Sequence, residues 1–306
     1  MEALTASEIA EVNEIGEAEA YLDYFRCAPP EFAQAFGLGV RQLGSIYVTI
    51  ISKVDNLNHN RIMGWGLREP ATEASLDNAI AVFQKEGCHN YLVQISSLIQ
   101  PAKASEWLAR RGFTQGRSWA KMFRGNEAAP AVSTDLRVEK IGKGQAEAYA
   151  SVVLPAFGIK PHYRPLVKGN VGKPGWQHYL AFAGEKPVSA AGMYINEETA
   201  WLSFAATLEE YRGHGGQSAM LARRIEDGLE RGCKWFVAET KEDTPDRPNP
   251  SYRNMKRCGF KLAYLQQYYY HQQQVSPVRK VRHAFIIGVH RLKSDFQRLL
   301  PEKRTG

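Results

Sequence analysis

No run in this 306-residue chain approaches the roughly 18 apolar residues that a membrane-crossing helix requires, so no membrane span is expected. Cysteine is scarce and scattered: Cys27, Cys88, Cys233 and Cys258 form no CxxC pair and do not cluster with histidine. That argues against a disulfide scaffold and against a metal site, and it suits a reducing cytosol. Residues 1–8 lack the basic start and apolar centre of a secretory signal, so a cytoplasmic protein is expected. Net charge is also small over most of the chain. The net charge is +7, but residues 275–306 hold eight Lys/Arg against Asp295 and Glu302, which leaves only +1 for residues 1–274. The basic pI therefore describes a tail rather than the body.

What is present is ordinary globular composition, 44% hydrophobic and 23% charged, in a length that suits about two domains. Two stretches look alike. One reads Phe83-Gln84-Lys85-Glu86-Gly87-Cys88 and runs on to Gly112-Phe113; the other reads Leu229-Glu230-Arg231-Gly232-Cys233 and runs on to Gly259-Phe260. Each copy reads as a helix, a Gly cap, an apolar strand, a second helix, another Gly cap and a final strand. The matched order of elements points to a tandem repeat, with its seam in the small, polar run 125–133. The domains expected are residues 1–128, residues 134–274 and a tail, residues 275–306.

The second copy opens with a strand at 136–141 and a helix at 145–157, followed by a Pro/Gly-rich loop at 161–175. Apolar, β-rich runs predict a three-strand meander at 177–183, 187–195 and 199–207, with turns at 184–186 and 196–198. A helix at 217–231 comes next, with Leu221, Ile225 and Leu229 as its buried stripe. A strand at 234–239, a helix at 250–257 and a strand at 261–270 complete the unit. This order specifies an α/β fold with a mixed sheet, not a doubly wound one.

The most informative segment is the turn between strand 199–207 and helix 217–231. It carries Arg212-Gly213-His214-Gly215-Gly216-Gln217-Ser218. Glycine lets the backbone come close to a ligand, and the first N–H groups of a helix are unpartnered at the positive end of its dipole. A strand, a basic Gly-rich turn and a helix N-terminus make a pyrophosphate cradle. Two ligand classes use one. Read as the dinucleotide fingerprint GxGxxG, Gly213 and Gly215 fit, Ser218 stands in the third place, and Glu239 is where a ribose-binding acid belongs. That fingerprint follows the first strand of a parallel sheet, whereas this turn follows a meander, so an acyl-CoA is favoured and an NAD(P)-binding oxidoreductase is the lesser alternative.

The turn and the element order resemble the GNAT family of acyl-CoA N-acetyltransferases, whose phosphate loop reads Gln/Arg-x-x-Gly-x-Gly/Ala. Residues 212–217 match up to the last position, where Gln217 departs. The later stretch Asn249-Pro250-Ser251-Tyr252-Arg253-Asn254, with Gly259-Phe260, resembles the family's following helix. Residues 135–270 carry the resemblance well, and residues 1–125 resemble a degenerate GNAT-like domain. There Gly64-Trp65-Gly66-Leu67 leads into Arg68-Glu69-Pro70, whose acid and proline suit no pyrophosphate.

The resemblance implies two tandem GNAT-like domains, only the second catalytic, that move an acetyl group from acetyl-CoA to a primary amine by direct attack. It implies that coenzyme A lies against Ala205, Ala206 and Thr207 of the preceding strand. The turn would hold it through Arg212, Gly213, His214, Gly215, Gly216, Gln217 and Ser218. Asn249 would bond the pantetheine or cap the following helix. The family's usual acid is a tyrosine four residues before the Gly of Gly-Phe, where this chain has Met255. Tyr252 is the substitute, Ser251 a hydroxyl that orients water or the thiol end, and Glu239 at its strand end the expected base. The missing tyrosine also leaves open an acyl-CoA sensor without turnover. The acceptor, a small-molecule or peptide amine, is not specified. In the tail, Val281, Phe285, Val289, Leu292, Phe296 and Leu299 or Leu300 recur at helical spacing among basic residues. This predicts a helix docked on its own domain or on a partner subunit, so a homodimer stays open; nucleic acid and anionic lipid are less favoured.

Overall fold

The computed structural model describes residues 4–54, 57–99 and 101–272; the amphipathic tail expected at 275–306 lies outside the described residues. Helix α1 (Ala6–Arg26) starts at Thr5, which forms a capping box with Glu8. Helix α2 (Pro30–Phe36) starts on a proline and stops at Gly37, whose φ of 63° only glycine adopts freely. Strands β1 (Leu38–Leu43), β2 (Ile46–Ile51) and β3 (Arg61–Met63) follow. Helix α3 (Glu73–Lys85), strand β4 (Tyr91–Ile95), helix α4 (Ala104–Arg110) and strand β5 (Thr114–Arg124) complete the first half.

The second half contains β6 (Arg137–Ile141), α5 (Ala146–Phe157), α6 (Arg164–Gly169), β7 (Trp176–Ala183), β8 (Lys186–Asn196) and β9 (Thr199–Thr207). It ends with α7 (Gly216–Glu230), β10 (Trp235–Lys241), α8 (Pro250–Arg257) and β11 (Lys261–His271). The stretch 161–175, expected as a loop, contains α6: Pro165 sits in the first turn, where its missing N–H costs nothing. The repeat is borne out at its punctuation marks. Gly87, Gly112, Gly232 and Gly259 all close their helices with φ between 70° and 84°.

The eleven strands of the described residues join one sheet in the order β1-β2-β3-β4-β11-β5-β10-β9-β8-β7-β6. Only β3–β4 and β9–β10 are parallel; the other neighbours are antiparallel. A dinucleotide fold needs successive parallel strands, so this topology removes the oxidoreductase alternative. Each half sends its last strand into the other. Strand β11 lies between β4 and β5, and β5 lies between β11 and β10.

The stripe on α7 is buried as expected: Leu221 and Ile225 are fully covered and Leu229 partly so, against Tyr179, Met193 and Phe236. Each such fully buried side chain contributes about 1.5–3 kcal/mol. A Cβ at Gly228 would lie 2.4 Å from the Phe236 ring, so glycine sets how closely α7 approaches the sheet. In the first half the corresponding turn is packed shut. Trp65 is 1% exposed and donates to Ser75 Oγ at 2.9 Å, and a Cβ on Gly66 would meet Ile99 at 2.5 Å.

Candidate functional site

Strands β9 and β10 are paired only from Thr199/Trp235 to Leu202/Ala238. Past that point β10 keeps its partner β5 as far as Lys241, while β9 stays with β8. The β8–β9 register slips between Ala190 and Gly192, and Phe204 takes a φ of 47°, a conformation rare for a bulky residue. The buried Arg224 of α7 donates to the Gly192 carbonyl at 3.0 Å and more weakly to that of Ser203 at 3.4 Å, fastening both strands at the slip. Burial pulls this guanidinium down to about 10.

A cavity of about 740 Å³ occupies the opening between β9 and β10. Ala205, Ala206 and Thr207 of β9 line it, with Arg212, Gly213 and residues 215–218 of the turn, and Asn249 and Ser251 at the start of α8. The structure thus brings together every residue expected to hold coenzyme A except His214. That side chain turns outward to Asp135, 3.5 Å away.

The glycines have separate reasons. A Cβ on Gly213 would meet nothing within 4 Å, so this residue faces open space. Gly215 caps α7 at a φ of 73°, and its Cβ would lie 2.9 Å from the Ser133 carbonyl. Thr134 next to it donates to the His214 carbonyl at 2.6 Å, so the linker between the halves clamps the turn. The first bond within α7 is made by the Ala219 N–H to the Gly215 carbonyl, which leaves the amides of 216–218 outside the helix ladder. Among the described residues no carboxylate lines the cavity, and Arg212, Lys241 and Arg257 do. Free amides, a helix N-terminus and three cations fit a diphosphate.

Gln217, the departure from the family loop, has a structural role. Its amide donates to Ser251 Oγ at 2.8 Å and accepts from Asn254, so it ties α7 to α8. Asn249 is a helix cap: its side chain accepts from the Ser251 N–H at 3.0 Å and donates to Thr240 Oγ1 at 3.0 Å. Two expectations need correction. Tyr252 is absent from the cavity wall, because its position on α8 packs the ring against the core shared with α7. Glu239 is not a strand end beside the slot, since β10 runs on to Lys241. Its neighbours Phe236 and Ala238 face α7 and α8, so Glu239 faces the other side of the sheet, beneath α1. Met255, where the family tyrosine would stand, is 5% exposed in the core.

Glu239 belongs to a buried charged cluster that its position along the chain does not reveal. Lys121 of β5 donates to it at 3.1 Å and Tyr268 of β11 at 3.0 Å. Lys121 also pairs with Glu17 of α1, which takes a hydrogen bond from Gln94 and lies 3.5 Å from Arg61. Burial works against the charge on Glu239, but Lys121 and Arg61 outweigh it and hold the carboxyl below its ordinary range. Glu14, which accepts from Tyr264, is pushed up to about 7, chiefly by burial. The signal was available in β5: Lys121 sits between Trp119 and Phe123 on one face of the strand, where a charge is out of place.

Residues 148–260 match the family model described as the Acetyltransferase (GNAT) family. That match spans the glycine turn at 212–218 and the whole of α8. A GCN5-related N-acetyltransferase from Kribbella flavida superposes with a TM-score of 0.58 at 14% identity, over 77% of this chain and 90% of that one. A tandem GNAT protein from the clavulanic acid biosynthesis pathway gives 0.54 at 15% identity, over 85% and 95%. A GCN5-related N-acetyltransferase from Sphaerobacter thermophilus gives 0.54 at 13%, over 86% and 92%. At these identities the likeness is one of fold. No curated protein matches the sequence. The whole described chain thus has the architecture of a tandem GNAT protein. Among the described residues no helix is long and apolar enough to cross a membrane.

Proposed function

We propose that this protein is an acyl-CoA-dependent N-acetyltransferase, carrying an acetyl group from acetyl-CoA to a primary amine by direct attack in a ternary complex. The observation that carries this reading is the slot, free of carboxylates among the described residues, where the opened edge of β9, the amides of 216–218 and the start of α8 meet. Acetyl-CoA, when bound, supplies an acetyl group activated as a thioester. The amides of 216–218 and Arg212 hold the diphosphate. Ala205 and Ala206 are small enough to let a pantetheine lie along β9, and a main-chain N–H of that edge donates to the carbonyl oxygen as charge develops there.

Ser251 Oγ already accepts from Gln217, so its own proton is free to hydrogen-bond the departing thiolate. Glu239 reaches the acceptor's ammonium through the gap between β9 and β10, directly or through water, and takes its proton. We assign the chemistry to residues 134–274. Residues 1–128 supply a wall and, through Lys121, the counter-ion of the base. The four free cysteines suit a cytoplasmic setting.

Calorimetry with acetyl-CoA and coenzyme A tests the slot, and thiol release over an amine panel tests turnover. Gly213→Asp should weaken binding by about tenfold or more, roughly 1.4 kcal/mol. Gly213→Asn, which accepts the left-handed backbone without adding charge, should do less. No heat with either compound overturns the proposal. Binding without thiol release for any amine supports instead an acyl-CoA sensor, the reading that the buried Met255 favours.

A further inference from the structure

A second cavity, of about 1310 Å³, adjoins the slot and shares Arg212, Lys241 and Asn249 with it. We propose that it is the acceptor site, and that the acceptor is an amine bearing a carboxylate or phosphate. This rests on the reading of the slot as an acyl-CoA site. Its place fits. Glu239 pairs with Lys121 and Lys241 with Trp119, so the rung that lines the cavity is the next same-face rung beyond the proposed base.

The cavity is built rather than incidental. The β5–β11 register slips between Gln267 and Tyr269, leaving Gly116 and Arg117 opposite Tyr268, and such a bulge re-aims side chains. A Cβ on Gly116 would fall 1.8 Å from the Tyr270 ring. Glycine there lets the ring lie across β5, where with Trp119 it makes an aromatic floor. The loop 242–249 is pinned by Asp243, which accepts from Arg253 at 2.9 Å and from the Asn249 N–H at 2.5 Å. Thr244 and Arg247 bond each other's backbone, which fixes the turn that carries Arg247.

The charges around it are one-sided. Arg117, Lys241 and Arg247 line the wall and have no ion pair among the described residues, unlike Arg111 and Arg253, which are paired with acids. Among the described residues Glu242 is the single acid on the wall. A concave surface with a surplus of guanidinium groups attracts anions, and guanidinium matches carboxylate and phosphate in two-point contact. The anion of the acceptor sits on Arg117 and Arg247, and its ammonium faces Glu242 and the Glu239 rung. A polycationic acceptor would be repelled.

The test uses the full chain loaded with coenzyme A and matched probes: glucosamine 6-phosphate against glucosamine, and phosphoethanolamine against ethanolamine, with spermidine as the cationic probe. Binding by calorimetry and kcat/KM by thiol release should favour the phosphorylated member by roughly tenfold, less in high salt. Arg117→Gln with Arg247→Gln should erase the preference while leaving coenzyme A affinity within about twofold. Preference for the neutral amine or for spermidine overturns the proposal, as does failure of both phosphorylated probes to bind. If the double variant weakens coenzyme A but not its 3′-dephospho form, the cations serve the cofactor and the proposal falls. If coenzyme A itself does not bind, the acyl-CoA reading falls first and takes this one with it; coenzyme A binding without anion preference sinks this inference alone.

Discussion

Lys121 of β5 and Glu239 of β10 face each other across the seam between the two halves, with Nζ 3.1 Å from Oε2. The first half therefore supplies the cation that keeps a carboxylate of the second half ionised. Lys121→Met should cost about 3–5 kcal/mol, because it removes the nearer of the two cations, Lys121 and Arg61, that face the buried Glu17 and Glu239. Adding Glu17→Gln should recover a large part. Urea unfolding of the single and double variants measures both; a loss below about 1 kcal/mol for the single variant would show that Lys121 does not hold the cluster together.

Glu14 sets a pH dependence of stability. Its ordinary value is 4.5 and its folded value about 7, so the folded state holds a proton that the unfolded chain releases. The resulting stabilisation is complete below pH 4.5, falls as pH rises through the window to about 7, and is gone above it. At 1.36 kcal/mol per unit the effect amounts to about 3 kcal/mol at most. Glu14→Gln keeps an acceptor for the Tyr264 hydroxyl and carries no charge. Its stability should match the wild type at pH 4 and exceed it at pH 8, read from urea midpoints at each pH.

Gln217 joins α7 to α8 by two side-chain hydrogen bonds. Gln217→Ala should cost about 1–2 kcal/mol and lower the Tm by roughly 2–8 °C. It should also weaken coenzyme A, since Ser251 and the start of α8 lose their tie to the phosphate turn. An unchanged melting curve would remove the clasp from the account.

Gly116→Ala tests the floor of the larger cavity. The new methyl must displace the Tyr270 ring, which a crystal structure of the variant would show directly. Coenzyme A affinity should stay within about twofold, because Gly116 does not line the cofactor slot.

Much of the second half could be read in advance because its signals are local. The strand at 199–207 and the helix at 250–257 come out with the bounds their apolar and capping patterns imply. Gly213 and Gly215 mark the turn through positive φ, a requirement local to the backbone, whereas Gly216 makes room for Leu136 just ahead of β6. Two placements differ for one reason. Position along an element does not say which face Glu239 or Tyr252 leaves, or what lies there. For Glu239 that is α1, from the far end of the chain.

The amino-acid order alone determined the repeat, the strands and caps, and a helix N-terminus stripped of side chains, because each depends on residues within a few positions of one another. Tertiary structure decided that β5 and β11 change places between the halves, that Lys121 meets Glu239, and that two cavities share a wall at Arg212 and Lys241. Periodicity says which residues share a face of a strand, but it does not say which strand lies beside it. That choice belongs to the packing of the whole sheet.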